Sequence, residues 1–479
     1  MTGFLLLALL AAQSEAQQRG DRELIHAIIA NTEPLEAPRG DRLPLYIWPA
    51  HRLGTTNEDE LVEILDALEA RGMAAIASWR PNDPAALEEA LQLGRLQSRL
   101  GLPISVSATS STYAFFNGDP ATAHIDADGN LFFDDSFQTS RKMGCPFAID
   151  YRMPEMTERI TSAVRAYDDA GLEIDFLYAD WEIDGPLEWN GAWESSKRCQ
   201  RCRRHIPDID NFRAFQTALR QKRAELQKTM LAEPVLETFP QALVGNYGVY
   251  PHDGYRYWVD YFEELPEGPP YIEEGRAKYR EWYAEFPETG FTFAMPTTYP
   301  WYDTWSWYDF ESSDYRWFYN MLLVGTNVAK STPASIPIVT FVHWHTTEPP
   351  PKPDPDVEQF SRQKYREFLW HLLLRGHDAF FLWTPREEAL EETLLVHQVY
   401  RESHAYREFL LEGEPIAFDV PSRPGPVVSA LRRGSWLLVI RSDFGGARET
   451  VTLEWEGGTI VVPPGNGPRL LKLPELDLE

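Results

Sequence analysis

Asp180 and Glu182 stand two residues apart in "FLYADWEIDGPLEW" (176–189), where an apolar run ends in acids interleaved with tryptophans. On a strand, residues i and i+2 leave the same face, about 6–7 Å apart at Cα. Two carboxylates held that closely, and partly desolvated by Trp and Tyr, have their proton affinities pushed apart. One stays ionised while the other keeps its proton near neutral pH. A general acid acting on a glycosidic oxygen needs that arrangement, although a structural ion-pair network perturbs such groups too. A solvated turn accounts for acids but not for Trp181 and Trp189, and a core strand accounts for tryptophans but not for three carboxylates. Asp184 and Glu188 read as solvated loop acids.

A pair of this kind needs a rigid element beneath it. From Leu43 to about residue 412, short apolar runs alternate with amphipathic helical stretches. The runs are "LPLYIW" (43–48), "MAAIASW" (73–79), "LPISVSA" (102–108), "FLYADW" (176–181), "ALVGNY" (242–247), "FTFAMP" (291–296), "IPIVTFVHW" (336–344) and "AFFLW" (379–383). "NEDELVEILDALEARG" places Leu61, Ile64, Leu65 and Leu68 on one helical face, and "NFRAFQTALRQKRAELQKTMLAEP" is expected to end at Pro234. Strands that are apolar almost throughout, each followed by a helix, indicate a parallel sheet covered on its faces. About eight such units predict an α/β chain with a (β/α)8-type TIM barrel over 40–412. No glycine-rich fingerprint follows the first strand, which argues against a dinucleotide fold. After residue 414, short strands separated by Gly/Pro turns predict a small C-terminal β-sandwich, 415–479. The Pro-rich "TTEPPPKPDPDV" (346–357) reads as a stiff loop on the strand-exit face.

The chemistry of a β/α barrel lies at the carboxyl ends of its strands. Those ends carry Trp48 with His51 and Arg52, Trp79 with Arg80, Asp180 with Trp181 and Glu182, Tyr247, Tyr299, His343 with Trp344 and His345, and Trp383. Many of the 16 tryptophans fall here or in "TYPWYDTWSWYDF" (298–310). Aromatic faces stack on pyranose rings, so a carbohydrate cleft is one reading, and aromatics capping the barrel core are the other.

Composition narrows the classes further. A net charge of −28 over 479 residues opposes nucleic-acid binding, which relies on basic patches; the largest basic cluster is "KRCQRCRRH" (197–205). The N-terminus, "MTGFLLLALLAAQSEAQQ", has an apolar segment too short to span a bilayer, followed by Ser14-Glu15-Ala16. It reads as a signal peptide, 1–16, which predicts a secreted or periplasmic protein without a membrane span; a buried N-terminal helix is the alternative. Cys145, Cys199 and Cys202 are the only cysteines. With His205 they could form a three-thiolate, one-imidazole structural zinc site; a local disulfide plus one free thiol is the alternative. No cofactor is expected for catalysis.

At this point the motifs resemble a known family. "YADWEIDGPLEW" is similar to the catalytic strand end of the hyaluronidases (glycoside hydrolase family 56), where Asp-Trp-Glu ends the fourth strand. "VGNYGVYPHDGYRYW" (244–258), "FAMPTTY" (293–299), "LLLRGHDAFFLW" (372–383) and "YIWP" (46–49) resemble further strand ends of that family, in order. The match covers the barrel in patches and leaves out the β-sandwich. Ile183 and Asp184 stand where the family has Glu-Trp, and three cysteines cannot supply its framework disulfides. The resemblance implies a substrate-assisted retaining hydrolase of a polysaccharide containing 2-acetamido sugars. It makes Glu182 the proton donor, Asp180 its partner, Tyr247 and Tyr299 holders of the acetamido group, and Trp383 a wall of the cleft. Trp48, Trp79, Arg80 and Trp181 are further substrate-binding candidates by position.

Other classes stay open: a conventional retaining glycosidase with its nucleophile elsewhere (Asp303 and Glu311 are candidates), and a non-catalytic carbohydrate-binding barrel. A polysaccharide lyase has less support, since only Arg52, Arg80 and the histidines could neutralise a uronate.

Overall fold

A computed structural model describes residues 19–48, 53–112, 118–136, 142–181, 192–248, 286–300, 313–346, 358–445, 449–455, 457–465 and 467–474. Glu182 lies outside these residues, as do the expected signal peptide, His51, Arg52, Asp184, Glu188, Asp303 and Glu311.

Eight short strands form a closed parallel ring. They are β1 (Leu45–Ile47), β2 (Met73–Ala74, resuming as Ile76–Ser78), β3 (Ser105–Ser107), β4 (Phe176–Ala179), β5 (Leu243–Asn246), β6 (Thr297–Thr298), β7 (Val339–Val342) and β8 (Ala379–Leu382). Tyr46 of β1 sits opposite Ala74 of β2 on one side and Phe381 of β8 on the other, so first and last strands meet. The first half of β2 pairs with β1 and the second with β3. Between them, the Ala75 carbonyl accepts from Gln97 Nε2 at 3.0 Å. The β5–β6 seam is the sparsest: Gly248 bridges to Pro296, and the Gly248 N–H donates to the Met295 carbonyl at 2.9 Å. Within the expected sixth strand, 291–296, Ala294 bridges to Ile338 and Pro296 to Gly248, and the continuous ladder with β7 follows directly at Thr297–Thr298. Pro296 has no N–H to give and serves only as acceptor, from Phe341 N at 2.8 Å.

The helices between the strands are amphipathic for the expected reasons. α1 (Glu58–Glu69) is capped by Asn57, whose side chain accepts from Glu60 N, and it buries Leu61, Ile64, Leu65 and Leu68. α2 (Pro84–Leu100), α3 (Met153–Asp169), α6 (Phe212–Gln227), α7 (Ser313–Ser331), α8 (Arg362–Leu373) and α9 (Ala389–Ser403) continue the outer layer; two short helices, α4 (Trp193–Arg198) and α5 (Gln200–His205), lie after β4. Pro234 does not stop the helical run after α6. A π-turn at Lys228–Ala232 precedes it, and Pro234 sits in the first turn of the next helical segment, Glu233–Leu236, where no N–H is required.

Side-chain alternation fills the ring with aromatics. Tyr46, Phe176, Tyr178, Phe293, Phe341 and Phe381 are each at most 1% exposed. Tyr46 stacks on Phe176 at 4.1 Å, Phe176 meets Phe293 at 4.7 Å, and Tyr178 meets Phe381 at 4.5 Å between ring centroids. The lumen is thus a packed core, and a ligand cannot pass through it.

Beyond the barrel, β9 (Glu414–Pro415), β10 (Val427–Arg433), β11 (Trp436–Ser442) and β14 (Arg469–Lys472) make an antiparallel sheet, with β12 (Val451–Trp455) and β13 (Gly458–Val462) as a separate hairpin. Alternation buries both faces of β10 and β11. Val427, Leu431, Leu438 and Ile440 join the barrel core, while Ala430, Leu437 and Val439 form a small core with Val462 and Leu473. Two polar groups seal the barrel side. His371 of α8 contacts Ser429 Oγ at 2.7 Å and Ser442 Oγ at 3.0 Å, and buried Arg375 donates to Ser429 Oγ and to the Phe418 and Asp419 carbonyls. Among the described residues no helix is long and apolar enough to cross a membrane.

Candidate active site at the carboxyl ends of the barrel strands

The two-residue repeat that fills the lumen also selects what stands above it. Continuing each inward register by two residues leads from Tyr46 to Trp48, Tyr178 to Asp180, Gly245 to Tyr247, Thr297 to Tyr299, Phe341 to His343 and Phe381 to Trp383. The ring contacts agree. Trp48 lies against Tyr178 (5.7 Å), Phe341 (6.3 Å) and Phe381 (6.2 Å). Tyr247 meets Phe341 at 5.2 Å and Tyr299 at 6.5 Å, and Tyr299 stacks on Trp383 at 5.4 Å. His343 packs edge-on against both Tyr299 (5.7 Å) and Trp383 (5.2 Å). Asp180 is half-buried, its backbone N–H donating to Thr109 Oγ1 at 3.0 Å. Burial raises the Tyr178 hydroxyl far above its ordinary pKa, and the nearby Asp180 charge adds to that rise.

The opposite parity removes other expected cleft residues. Trp79 is 2% exposed and packs on Tyr167 of α3 at 5.7 Å; with Arg80 it lines a groove between the loop after β2 and α3. Trp181 is 1% exposed and, one residue past Asp180, takes the opposite register. Its N–H donates to Asn246 Oδ1 at 2.9 Å and its carbonyl accepts from Arg223 Nη2 of α6 at 2.8 Å. Both tryptophans are thus packed at the strand ends, outside the register that carries Trp48 and Trp383. The half-exposed Arg80 guanidinium lies 3.9 Å from Asp83.

Sequence reasoning noted His343 and His345 at a strand end but missed the acid that holds them. Glu392 of α9 is fully buried and accepts from His343 Nδ1 (3.0 Å), His345 Nδ1 (2.6 Å), Trp344 N (3.0 Å) and His345 N (3.2 Å). Burial alone would raise this carboxyl, yet the two imidazoles bring it down to about 2. A signal did exist: Glu392 lies on the face of α9 that carries Ala389, Val396 and Val399, where an unpaired acid would not be tolerated.

The expected metal cluster is corrected in one member. Cys145, Cys199 and Cys202 converge as buried free thiols, and the fourth ligand-type atom beside them belongs to His124. The His205 ring instead lies flat on Phe147, 4.5 Å between centroids and 3° from parallel.

No family model matches the sequence, and no curated protein matches it. Among solved structures, the chain is similar to α-L-fucosidase isoenzyme 2 from Paenibacillus thiaminolyticus, at 11% identity over 75% of this chain and 48% of that one, with a TM-score of 0.43. A family 36 α-galactosidase from Geobacillus stearothermophilus, in complex with stachyose, is 11% identical over 95% of this chain and 57% of that one, TM-score 0.47. α-Galactosidase I from Mortierella vinacea is 10% identical over 91% of this chain and 98% of that one, TM-score 0.42. The chain spans about half the length of the first two. The barrel assignment itself stands on the closed ladder of this chain's own strands.

Proposed function

We propose that this protein is a secreted or periplasmic, endo-acting glycoside hydrolase of a polysaccharide containing 2-acetamido sugars, working as the hyaluronidase resemblance implies. The observation that carries the reading is the single lumen-facing layer that joins Asp180 to Trp48, Tyr247, Tyr299 and Trp383 above a sealed aromatic core. A pure binding barrel needs the aromatics but has no use for a half-buried acid beside them.

In the proposed reaction the substrate's own acetamido oxygen attacks the anomeric carbon while Glu182 protonates the departing glycosidic oxygen. The bond to the leaving sugar breaks and a cyclic oxazolinium forms. Asp180 holds the amide N–H as positive charge develops, and the Tyr247 and Tyr299 hydroxyls keep the carbonyl in line. Glu182, now a carboxylate, takes a proton from water as water opens the ring, which restores the acid and retains configuration. Such substrate assistance is a known exception to the two-carboxylate scheme.

The test is a panel of glycosaminoglycans and neutral polysaccharides with reducing ends measured. On the polymer that is cleaved, Glu182→Gln should slow turnover by about 100-fold or more, and Asp180→Asn by a smaller factor, with the thermal melts unchanged. A thiazoline mimic of the cyclised intermediate should inhibit. A trapped covalent glycosyl-carboxylate, or efficient cleavage of a polymer lacking N-acetyl groups, would replace this scheme with the conventional retaining one.

A further inference from the structure

Two long excursions leave the barrel on the strand-exit face, one after β3 and one after β4. The first contains a small antiparallel hairpin, His124–Ile125 with Leu131–Phe132, and then returns past Cys145. The second contains α4 and α5, with Cys199 at their junction and Cys202 in the first turn of α5. The excursions dock through the residues between those two cysteines. Gln200 Nε2 donates to the Asp126 carbonyl at 2.6 Å and Arg201 Nη1 to the Ala123 carbonyl at 3.1 Å. The Cys145 N–H donates to the Thr122 carbonyl at 2.7 Å. That approach is possible only because residue 144 is glycine: a Cβ there would lie 2.4 Å from the Thr122 carbonyl oxygen.

We propose that His124, Cys145, Cys199 and Cys202 bind one structural zinc ion that staples the excursion after β3 to the excursion after β4. Their ligand atoms all lie within 4.8 Å of one another, and all four residues are fully buried. Cys145 Sγ is 3.5 Å from Cys202 Sγ and 3.8 Å from Cys199 Sγ, and Cys202 Sγ is 4.0 Å from His124 Nδ1. A tetrahedral ion with zinc–sulfur bonds of about 2.3 Å sets its sulfurs about 3.8 Å apart, whereas a disulfide sets them at about 2.05 Å. The spacing belongs to ligands around a common centre.

The donor set identifies the ion. Three soft thiolates and one imidazole in a closed four-coordinate shell suit zinc, and with no open position the ion is structural rather than catalytic. The His124 ring is fixed by stacking on Phe132, 5.0 Å between centroids, which directs Nδ1 toward the sulfurs. Charge agrees as well. Three thiolates around a dipositive ion leave one net negative charge, and the cluster "KRCQRCRRH" is the largest basic stretch of a chain with net charge −28. Arg198, Arg201, Arg203 and Arg204 surround the thiolates in sequence and offset that charge.

The test uses the full chain as purified without chelators. Elemental analysis should give one zinc per chain, and zinc-edge X-ray absorption should fit three sulfurs at about 2.3 Å and one nitrogen at about 2.0–2.1 Å. His205→Ala should keep the full zinc content; His124→Ala and Cys202→Ser should each lower occupancy at least tenfold. Chelation of the wild type should lower the melting temperature and open residues 118–136 and 192–211 to protease, a readout that needs no substrate. If the ligand variants fail to fold, the wild-type absorption spectrum still decides. A metal-free folded chain with three alkylatable thiols, a mass lower by two hydrogens from a disulfide, or an oxygen-dominated shell would each overturn the proposal.

Discussion

Replacing Glu392 by glutamine tests how the upper layer of the barrel is braced. The carboxylate receives four donors, two imidazole and two backbone, with no exposure to solvent. A glutamine keeps the volume, but its amide nitrogen is a donor and must face donors. Removing the charge of a buried, hydrogen-bonded carboxylate while its partners stay costs about 3–5 kcal/mol, and the two imidazoles hold the folded carboxyl below its ordinary value. The sign follows from the folded value lying below the unfolded one. The stabilisation is complete above about pH 4.5 and is withdrawn as pH falls toward 2, so it should be markedly smaller at pH 3. Urea denaturation of wild type and Glu392→Gln at pH 7, 4.5 and 3 and constant ionic strength, followed by tryptophan fluorescence, measures the gap directly. A gap of about 3–5 kcal/mol at pH 7 that narrows markedly at pH 3 supports the charge-based account. A gap that is constant across pH, or below about 1 kcal/mol at pH 7, refutes it.

Further expectations separate the two parities and the two domains. Trp181→Ala should cost about 3–5 kcal/mol of stability as a core truncation, while the part-buried Trp48→Ala should cost less and raise KM on the identified polymer. The reverse pattern in melts and kinetics would refute the parity assignment. Gly245→Ala should destabilise by about 1–3 kcal/mol in a denaturant titration, because the new Cβ would meet the Phe293 ring at 2.7 Å, inside the sealed lumen. Arg375→Met should leave the Phe418 and Asp419 carbonyls without their donor and split unfolding into two transitions by calorimetry, since that guanidinium, just after α8, also ties in Ser429 of β10.

Much of this was legible in the sequence because two periodicities carry it. Apolar runs of five to nine residues separated by amphipathic stretches gave the barrel and its strand positions, and the loss of helices after residue 414 gave the β-rich end. What failed was finer. The strand-exit tryptophans look equivalent in a list of ends, but a one-residue offset puts Trp79 and Trp181 in the register opposite to that of Trp48 and Trp383. His205, three residues after Cys202, is the natural fourth ligand by spacing. His124 lies 21 residues before Cys145 with no spacing rule to connect it, and only the docked hairpin brings it in. Glu392 was invisible for the same reason: its partners are 47 residues or more away in sequence.

The packed lumen constrains how any substrate can lie. Tyr178, Phe341 and Phe381 are at most 1% exposed and form a floor directly beneath the candidate layer. A ligand therefore cannot descend into the barrel axis and must rest across the strand ends, against side chains from β1, β4, β5, β6, β7 and β8. Such a surface presents aromatic faces in several orientations, from Trp48 at one side to the stacked Tyr299 and Trp383 at the other, with Asp180 on the same layer. Among the described residues these faces lie side by side along the layer, an arrangement that supports the proposed action on a chain of sugar rings. The helix α9 completes the argument from outside. By fixing His343 through Glu392, it sets the edge against which Tyr299 and Trp383 stack, so the shape of the mouth depends on a residue that touches no substrate.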